Sequence, residues 1–284
     1  MADSTGISWT DHTHNPWWGC VTVSPACENC YASTFAARFG VRWGMKEARR
    51  PASDSVWAAP IKWDRAAKKA GRKARVFCAS MADVFEDRRD LDVHRTRLFD
   101  LILATPHLDW QLLTKRPHAI MRLIPSAWRA ALPDNVWIGT TVEDQRRAVE
   151  RIPILLDVPA VVRFVSCEPL LGALDLRAWL GNDRVSWVIS GGESGHGSRP
   201  MAPEWVRSLR EQCDESGVAY WFKQWGEFIT REQAPATVEL PKRVHHISEV
   251  DYYRVGKHIA GELLDGVVRQ AFPVGHDGPR VNAM

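Results

Sequence analysis

Three of the six cysteines lie close together near the N-terminus, as Cys20, Cys27 and Cys30. The loop that carries them leads into YASTFAARF, whose apolar spacing predicts a helix. Three thiolates from one loop can hold three corners of a [4Fe–4S] cluster and leave the fourth iron open to another ligand. A Cys3His zinc site, with His12 or His14 as the fourth ligand, fits the same residue types, and so do three thiols without a metal. The residues alone leave these interpretations open.

A glycine-rich segment, SGGESG at 190–195, follows an apolar run. Glycines at a strand end let the backbone approach a ligand closely, and a carboxylate beside them can accept hydrogen bonds from an amine. A tight turn explains the same glycines, and no G-x-G-x-x-G fingerprint opens a helix here. Gly191, Gly192 and Glu193 are therefore candidate ligand-binding residues, with a tight turn as the alternative.

Other polar side chains also follow apolar runs. Glu168 and Lys223 are an acid and a base that we predict to be catalytic, although they could instead pair with each other. Ser80, Asp83 and Ser166 are further polar residues at predicted strand ends, where the site is expected. Lys115 or Arg116 could bind an anion.

The tryptophans fall into two groups. Aromatic faces could stack a base at Trp18 or Trp225, whereas Trp110, Trp137 and Trp187 lie in apolar runs and are predicted to be core residues.

The composition sets limits on compartment and partners. A total of 37 Lys and Arg against 34 Asp and Glu leaves a net charge of +3, so nothing global favours nucleic acid. The run at 62–75, KWDRAAKKAGRKAR, is the best local candidate for a phosphate contact, although such a run is more often a solvated helix face. We find no secretory signal and no bilayer-length apolar run, and expect a cytoplasmic protein. Cys78, Cys167 and Cys213 are predicted to be buried thiols.

The elements that must position these residues alternate between strands and helices. This alternation predicts an α/β fold, a partial (β/α) barrel of six or seven mainly parallel strands, whose C-terminal strand ends form the active-site face. An N-terminal strand is expected within 6–19. We predict a barrel domain over 1–230 and a C-terminal extension over 231–284, with a helix at 253–265, packed on the barrel exterior or its open side. The other strands are predicted at 76–80, 109–114, 136–141, 161–166, 185–190 and 218–223, and helices at 92–104, 116–131, 143–156 and 203–216.

An ordered series of motifs supports a resemblance along most of the chain. It includes ISWTDHTHNPWWGC, VSPACENCYA, SMADVF, LLTKRP, NVWIGTTVED, VRFVSCEPLLG, WVISGGESG, RPM, FKQWGE and GELLDG. With these motifs the chain resembles a phage- and bacteria-associated three-cysteine-motif family of uncertain function, a divergent branch of the radical S-adenosylmethionine (SAM) enzymes.

The resemblance implies a [4Fe–4S] cluster on Cys20, Cys27 and Cys30, with SAM on the unique iron. Reduction by an external electron donor would cleave SAM to methionine and a 5′-deoxyadenosyl radical that acts on substrate. Glu193, in the glycine-rich segment with Gly191 and Gly192, would contact the SAM amino group, so Glu193→Ala is expected to weaken SAM binding and leave the iron content intact. The rest of the cofactor and substrate pocket would be lined by Ser80, Asp83, Ser166, Glu168 and Lys223. The leading substrate is a nucleic-acid base or nucleotide, as in DNA modification. The alternatives are a zinc-stabilised, non-catalytic protein that binds nucleic acid or recruits a partner, and a metal-dependent hydrolase.

Overall fold

The computed structural model describes residues 5–234, 237–242, 244–247 and 249–275. Seven parallel strands form one sheet in the order β1-β4-β5-β6-β7-β8-β9, which curves into a half-barrel and confirms the predicted partial barrel. The barrel strands are β1 (His12–Thr13), β4 (Ala74–Cys78), β5 (Leu108–Thr114), β6 (Val136–Thr141), β7 (Val162–Cys167), β8 (Trp187–Ser190) and β9 (Ala219–Phe222). The smaller strands are β2 (Trp17–Trp18), β3 (Arg50–Pro51), β10 (Phe228–Thr230), β11 (Val244–Ile247), β12 (Val250–Arg254), β13 (Leu263–Leu264) and β14 (Val267–Val268).

The barrel strands are nearly continuous apolar runs because both of their faces are covered. Alternate residues point to opposite faces, so Val136 and Ile138 pack among the helices while Trp137 between them points into the barrel. The barrel interior holds an aromatic cluster that includes Trp137 and Trp187, and Trp110 packs in the outer layer, so the three predicted core tryptophans are confirmed. The interior cluster consists of Trp9, Phe77, Trp137, Val162, Phe164, Trp187, Ile189 and Trp221.

Helices cover the outer face of the sheet. The structure has α1 (Tyr31–Ala37), α2 (Asp54–Lys69), α3 (Asp92–Leu103), α4 (Ile120–Leu123), α5 (Gln145–Leu156), α6 (Pro203–Ser216) and α7 (Lys257–Ala260). The predicted helix at 203–216 matches α6, which starts at a proline and stops at Gly217, a left-handed residue with φ of 63°. Within the described residues, no helix combines the length and the apolar character that a bilayer crossing requires.

Two predicted elements are shorter than expected. The helix predicted at 116–131 reduces to the four residues of α4 between short 3-10 turns, because Ile124 is extended before Pro125. The strand expected within 6–19 is limited to β1 and β2, since Pro16 between them has no N–H to donate to a neighbouring strand.

The C-terminal extension differs most from the prediction. In place of a helix at 253–265, the extension contains β11, β12, the single turn of α7 and the hairpin β13-β14. Its β12 pairs with β11 and with β10, which lies just before the extension, in the antiparallel sheet β10-β12-β11. Gly256 (φ 84°) and Gly261 (φ 71°) bound α7 and limit its length. The extension then returns to the barrel, where Phe222 N donates to Arg269 O at 2.7 Å and Ala271 N donates to Tyr220 O at 3.0 Å. It therefore covers the free edge of β9, while residues 276–284 lie outside the described residues.

Candidate functional site

A cavity of about 190 Å³ opens at the C-terminal ends of the barrel strands. All three cysteines of the N-terminal loop line it, and so do strand-end residues from β4, β5, β6, β7 and β9. Residues that are far apart in the chain therefore converge on one face, as expected for a parallel α/β fold. The strand-end residues in its wall include Ser80, Asp83, Thr114, Lys115, Arg116, Thr141, Ser166, Glu168 and Lys223.

A second cavity of about 720 Å³ adjoins the first and lies toward the C-terminal extension. Lys257, His258 and Glu262 of the extension contribute to its wall, along with residues of the N-terminal segment. Its volume lies within the range of roughly 300–1,000 Å³ that is usual for small-molecule sites. The two cavities share Ile7, Cys30, Tyr31, Ser80, Lys115, Glu168 and Lys223.

The two residues predicted to be catalytic stand where the cavities meet. Lys223 Nζ donates to Glu168 Oε1 at 2.6 Å, with the side chains 25% and 14% exposed. Gly191 packs beside this pair, and a Cβ at that position would lie 3.0 Å from the same carboxylate oxygen. The structure thus pairs the predicted acid with the predicted base at the cavity wall, and their catalytic role stays a prediction.

The predicted cofactor residues divide between the cavities. Ser80, Asp83 and Ser166 line the smaller one, and Gly192, Glu193 and again Ser80 line the larger one, whereas Gly191 lines neither. Gly192 is also required by packing, because a Cβ there would lie 2.0 Å from the backbone oxygen of Trp225. The glycine-rich segment is therefore packed tightly against the loop that follows β9.

One end of the cysteine loop is held by Arg116. Its guanidinium donates to Asp83 Oδ2 at 2.7 Å, to Val21 O at 2.9 Å and to Cys20 Sγ at 3.6 Å. Asp83 also accepts bonds from the Thr114 hydroxyl at 2.7 Å and from the Lys115 backbone at 3.1 Å. Burial raises the pKa of Cys20 to about 11, and the Asp83 carboxylate adds to this effect, while Arg116 opposes it.

The other end of the loop is held by Arg199, which sequence reasoning quoted only within the RPM motif. Arg199 makes a two-pronged contact with Glu193, at 2.6 Å and 2.9 Å, and donates to Pro25 O at 2.9 Å and to Glu28 at 3.0 Å. Asn29 donates to Glu193 at 3.1 Å. Burial opposes ionisation of Glu193, but the bonds from Arg199 and Asn29 outweigh it and lower the pKa of this carboxyl.

The chemistry of the three cysteines suits a metal cluster. None of them is in a disulfide, and their side chains line one cavity. Among the residues that the structure describes, no three His, Cys, Asp or Glu side chains are already grouped as metal ligands. Neither histidine considered for a zinc site lines the cavities, since His12 stacks on Trp63 at 4.3 Å and His14 is buried against Trp57.

The predicted nucleic-acid contacts do not lie at the cavities. Trp18 packs against Phe35 and Phe39, Trp225 is 4% exposed against Phe222, and neither lines a cavity, so base stacking at these tryptophans is not supported. The basic run at 62–75 covers the last turns of α2 and the start of β4. It therefore lies at the N-terminal end of the barrel strands, opposite the cysteines.

The comparisons with known proteins give one match. A family described as a protein of unknown function, DUF5131, matches residues 4–273. No curated protein and no solved structure matches the chain significantly. Since the match spans nearly the whole chain, the protein belongs to the DUF5131 family.

Proposed function

We propose that the protein is a radical SAM-like enzyme in which Cys20, Cys27 and Cys30 hold a [4Fe–4S] cluster. The observation that carries this proposal is that three free thiols of one loop line a single cavity at the C-terminal ends of seven parallel strands. When bound, such a cluster would pass one electron from an external donor to SAM, cleaving a C–S bond to give methionine and a radical that takes a hydrogen atom from substrate.

The protein's own residues would bind and orient the reactants. Arg116 fixes the position of Cys20, while Ser80 and Ser166 offer hydroxyl groups in the cavity wall. The paired Glu168 and Lys223 are within reach of ligands in both cavities, where they can hold or transfer a proton at Oε1 or Nζ. Trp9 and Phe77 of the interior aromatic cluster line the smaller cavity, where apolar walls would limit the access of water to a reactive intermediate.

The larger cavity is the proposed substrate site. Its volume suits a nucleotide or an extruded base, and it meets the cysteine cavity at Cys30 and Tyr31. Lys115 in the shared wall is a candidate contact for an anionic group such as a phosphate. A nucleic-acid base or nucleotide is therefore the substrate class that we propose, as in DNA modification.

Anaerobic reconstitution followed by iron analysis and EPR tests the proposal. The wild type is expected to show a reduced [4Fe–4S] signal that SAM perturbs, and to produce 5′-deoxyadenosine when a reductant is added. A variant with Cys20, Cys27 and Cys30 replaced by Ala should lose all of these, whereas Cys213→Ala, at a buried thiol outside the cavities, should keep them. Stoichiometric zinc in place of iron under anaerobic conditions would overturn the proposal in favour of the zinc-stabilised binding protein.

A further inference from the structure

Two different arginines hold the two ends of the cysteine loop through hydrogen bonds. Arg116 holds the part near Cys20, as described above. The part from Pro25 to Cys30 contacts the segment 193–199, which lies more than 160 residues later in the chain. Asn29, between Cys27 and Cys30, donates to Glu193 at 3.1 Å and to Gly197 O at 2.8 Å. Glu193 is therefore the anchor to which this half of the loop is attached.

The carboxylate of Glu193 is occupied mainly by bonds to the cysteine loop and to Arg199. Oε1 accepts one bond from Arg199, and Oε2 accepts three, from Asn29, from the Arg199 backbone at 2.9 Å and from Arg199 Nε at 2.9 Å. A carboxylate offers about four lone-pair sites. Its side chain is 5% exposed. A ligand amine at Glu193 would have to share this carboxylate with the donors that hold the loop.

The backbone around Glu193 and Gly197 packs closely against its neighbours. A Cβ at Gly226 would lie 2.4 Å from Glu193 O, so the two loops at this corner pack backbone against backbone. Gly197 in turn approaches Asn29 so closely that a Cβ there would lie 2.8 Å from Oδ1. These close contacts fix Glu193, Asn29 and the loop between Cys27 and Cys30 as one unit.

From these contacts we infer that Glu193 and Arg199 are positioning residues, which hold Cys27 and Cys30 in place for the group that the three cysteines bind. The identity of that group rests on the proposed function. The role of Glu193 and Arg199 in holding the cysteine loop does not depend on it. This role and direct contact with SAM predict opposite results for one substitution. If Glu193 contacts SAM, its loss weakens SAM binding and leaves the iron content intact. If Glu193 holds the cysteine loop, its loss lowers iron retention and leaves the SAM affinity of the cluster-containing protein unchanged.

Two variants test the inference, Glu193→Ala and Arg199→Lys. The second keeps the charge but cannot make the two-pronged contact, so it disturbs the fold least. In metal-free protein, alkylation of Cys27 and Cys30 by iodoacetamide is followed by peptide mass spectrometry. Both variants are expected to raise the alkylation rate at these cysteines. After reconstitution, their iron affinity should fall about tenfold or more, as is typical when a residue that supports metal ligands is lost.

Glu28→Gln provides the matched control. It removes only the outer ion pair of Arg199, in which the Glu28 side chain is 62% exposed, so iron retention and alkylation should stay at wild-type values. The double variant Glu193→Ala with Arg199→Ala should lose less iron affinity than the sum of the losses in the two single Ala variants, because both single substitutions remove the Glu193–Arg199 contact. Circular dichroism confirms that each variant is folded.

Wild-type alkylation and iron content in both variants, together with weakened SAM binding, would overturn the inference. They would instead support direct contact between Glu193 and SAM. If the wild type takes up no cluster, the proposed function fails. The alkylation rates in metal-free protein still test whether Glu193 and Arg199 position Cys27 and Cys30.

Discussion

At the scale of single residues, His14 is a histidine held neutral by its surroundings. It is fully buried, with its ring 5.2 Å from Trp57 and 5.5 Å from Trp110, and neither ring nitrogen has a hydrogen-bond partner among the described residues. Burial and, as the smaller contribution, the positive charge of Arg97 together lower its pKa from 6.5 to about 3. His14 therefore binds a proton more readily in the unfolded chain than in the folded protein.

This difference makes the stability depend on pH. The folded pKa is the lower one, so the full stability is present above pH 6.5 and is lost progressively as the pH falls toward 3. At pH 5 the loss from this one residue amounts to about 2 kcal/mol. Urea unfolding of the wild type and of His14→Phe at pH 8 and pH 5 measures this loss. The difference between the two proteins isolates the contribution of His14, because they share all other titrating groups. Equal losses in the two proteins would contradict the assignment.

Residue patterns identified part of the site. The cysteine triplet was visible because its three members are close in sequence, and the pairing of Glu168 with Lys223 was an alternative that the strand-end pattern already contained. The fastening role of Arg199 was not visible, since its partners Asn29 and Glu193 were assigned no joint function and Asn29 lies in a different part of the chain. Only the folded arrangement shows that the glycine-rich segment and the cysteine loop touch.

At the scale of elements, the packing of β6 beside β7 depends on Gly139 in β6. It is paired with Phe164 of β7, and a Cβ at this glycine would lie 2.4 Å from the Phe164 ring. We expect Gly139→Ala to destabilise the protein by about 1–3 kcal/mol through overpacking. The free energy of urea unfolding measures the effect. Adding Phe164→Leu should recover part of the loss, and Gly172→Ala, whose Cβ would lie 4.0 Å from its nearest neighbour, should change little.

The secondary structure of a segment was predictable where the sequence contains residues that mark its start and end together with a regular apolar pattern. It was not predictable where these features are incomplete. The segment 203–216 has a proline at its start, glycine after its end and an apolar stripe, and it forms α6 as predicted. The apolar spacing at 253–265 resembles that of a helix, but glycines with positive φ interrupt it and neighbouring strands compete for its backbone bonds. Local spacing alone does not show which of these outcomes the chain adopts.

At the scale of the whole molecule, the C-terminal extension covers the side of the barrel that the sheet leaves open. Phe272 packs on Trp187 and Trp221, with ring centroids at 5.5 Å and 4.7 Å, and the Arg75 guanidinium lies 3.4 Å from its ring centre. Residues from the two ends of the described chain, Ile7 and Phe272, therefore pack on one aromatic cluster. The extension contributes to the barrel core as well as to the wall of the larger cavity.

Replacement of Phe272 by Ala tests this contribution. We expect a loss of about 1–2 kcal/mol in the free energy of unfolding, below the value for a fully buried ring because Phe272 is half-buried. Chemical unfolding checks the value, with Val274→Ala as the control, since Val274 lies in the same extension and is 84% exposed. A Phe272 variant as stable as wild type would show that the extension is not part of the barrel core.

The aromatic cluster inside the barrel also has an optical consequence. Trp9, Trp137 and Trp221 each lie within 6.4 Å of Trp187, measured between ring centroids, and Trp9 also forms part of the wall of the cysteine cavity. Excitation energy absorbed by one indole can pass to the others over such distances. A coloured group that enters the cavity would quench the emission of the whole cluster, so the protein carries its own fluorescent reporter of what the cysteines bind.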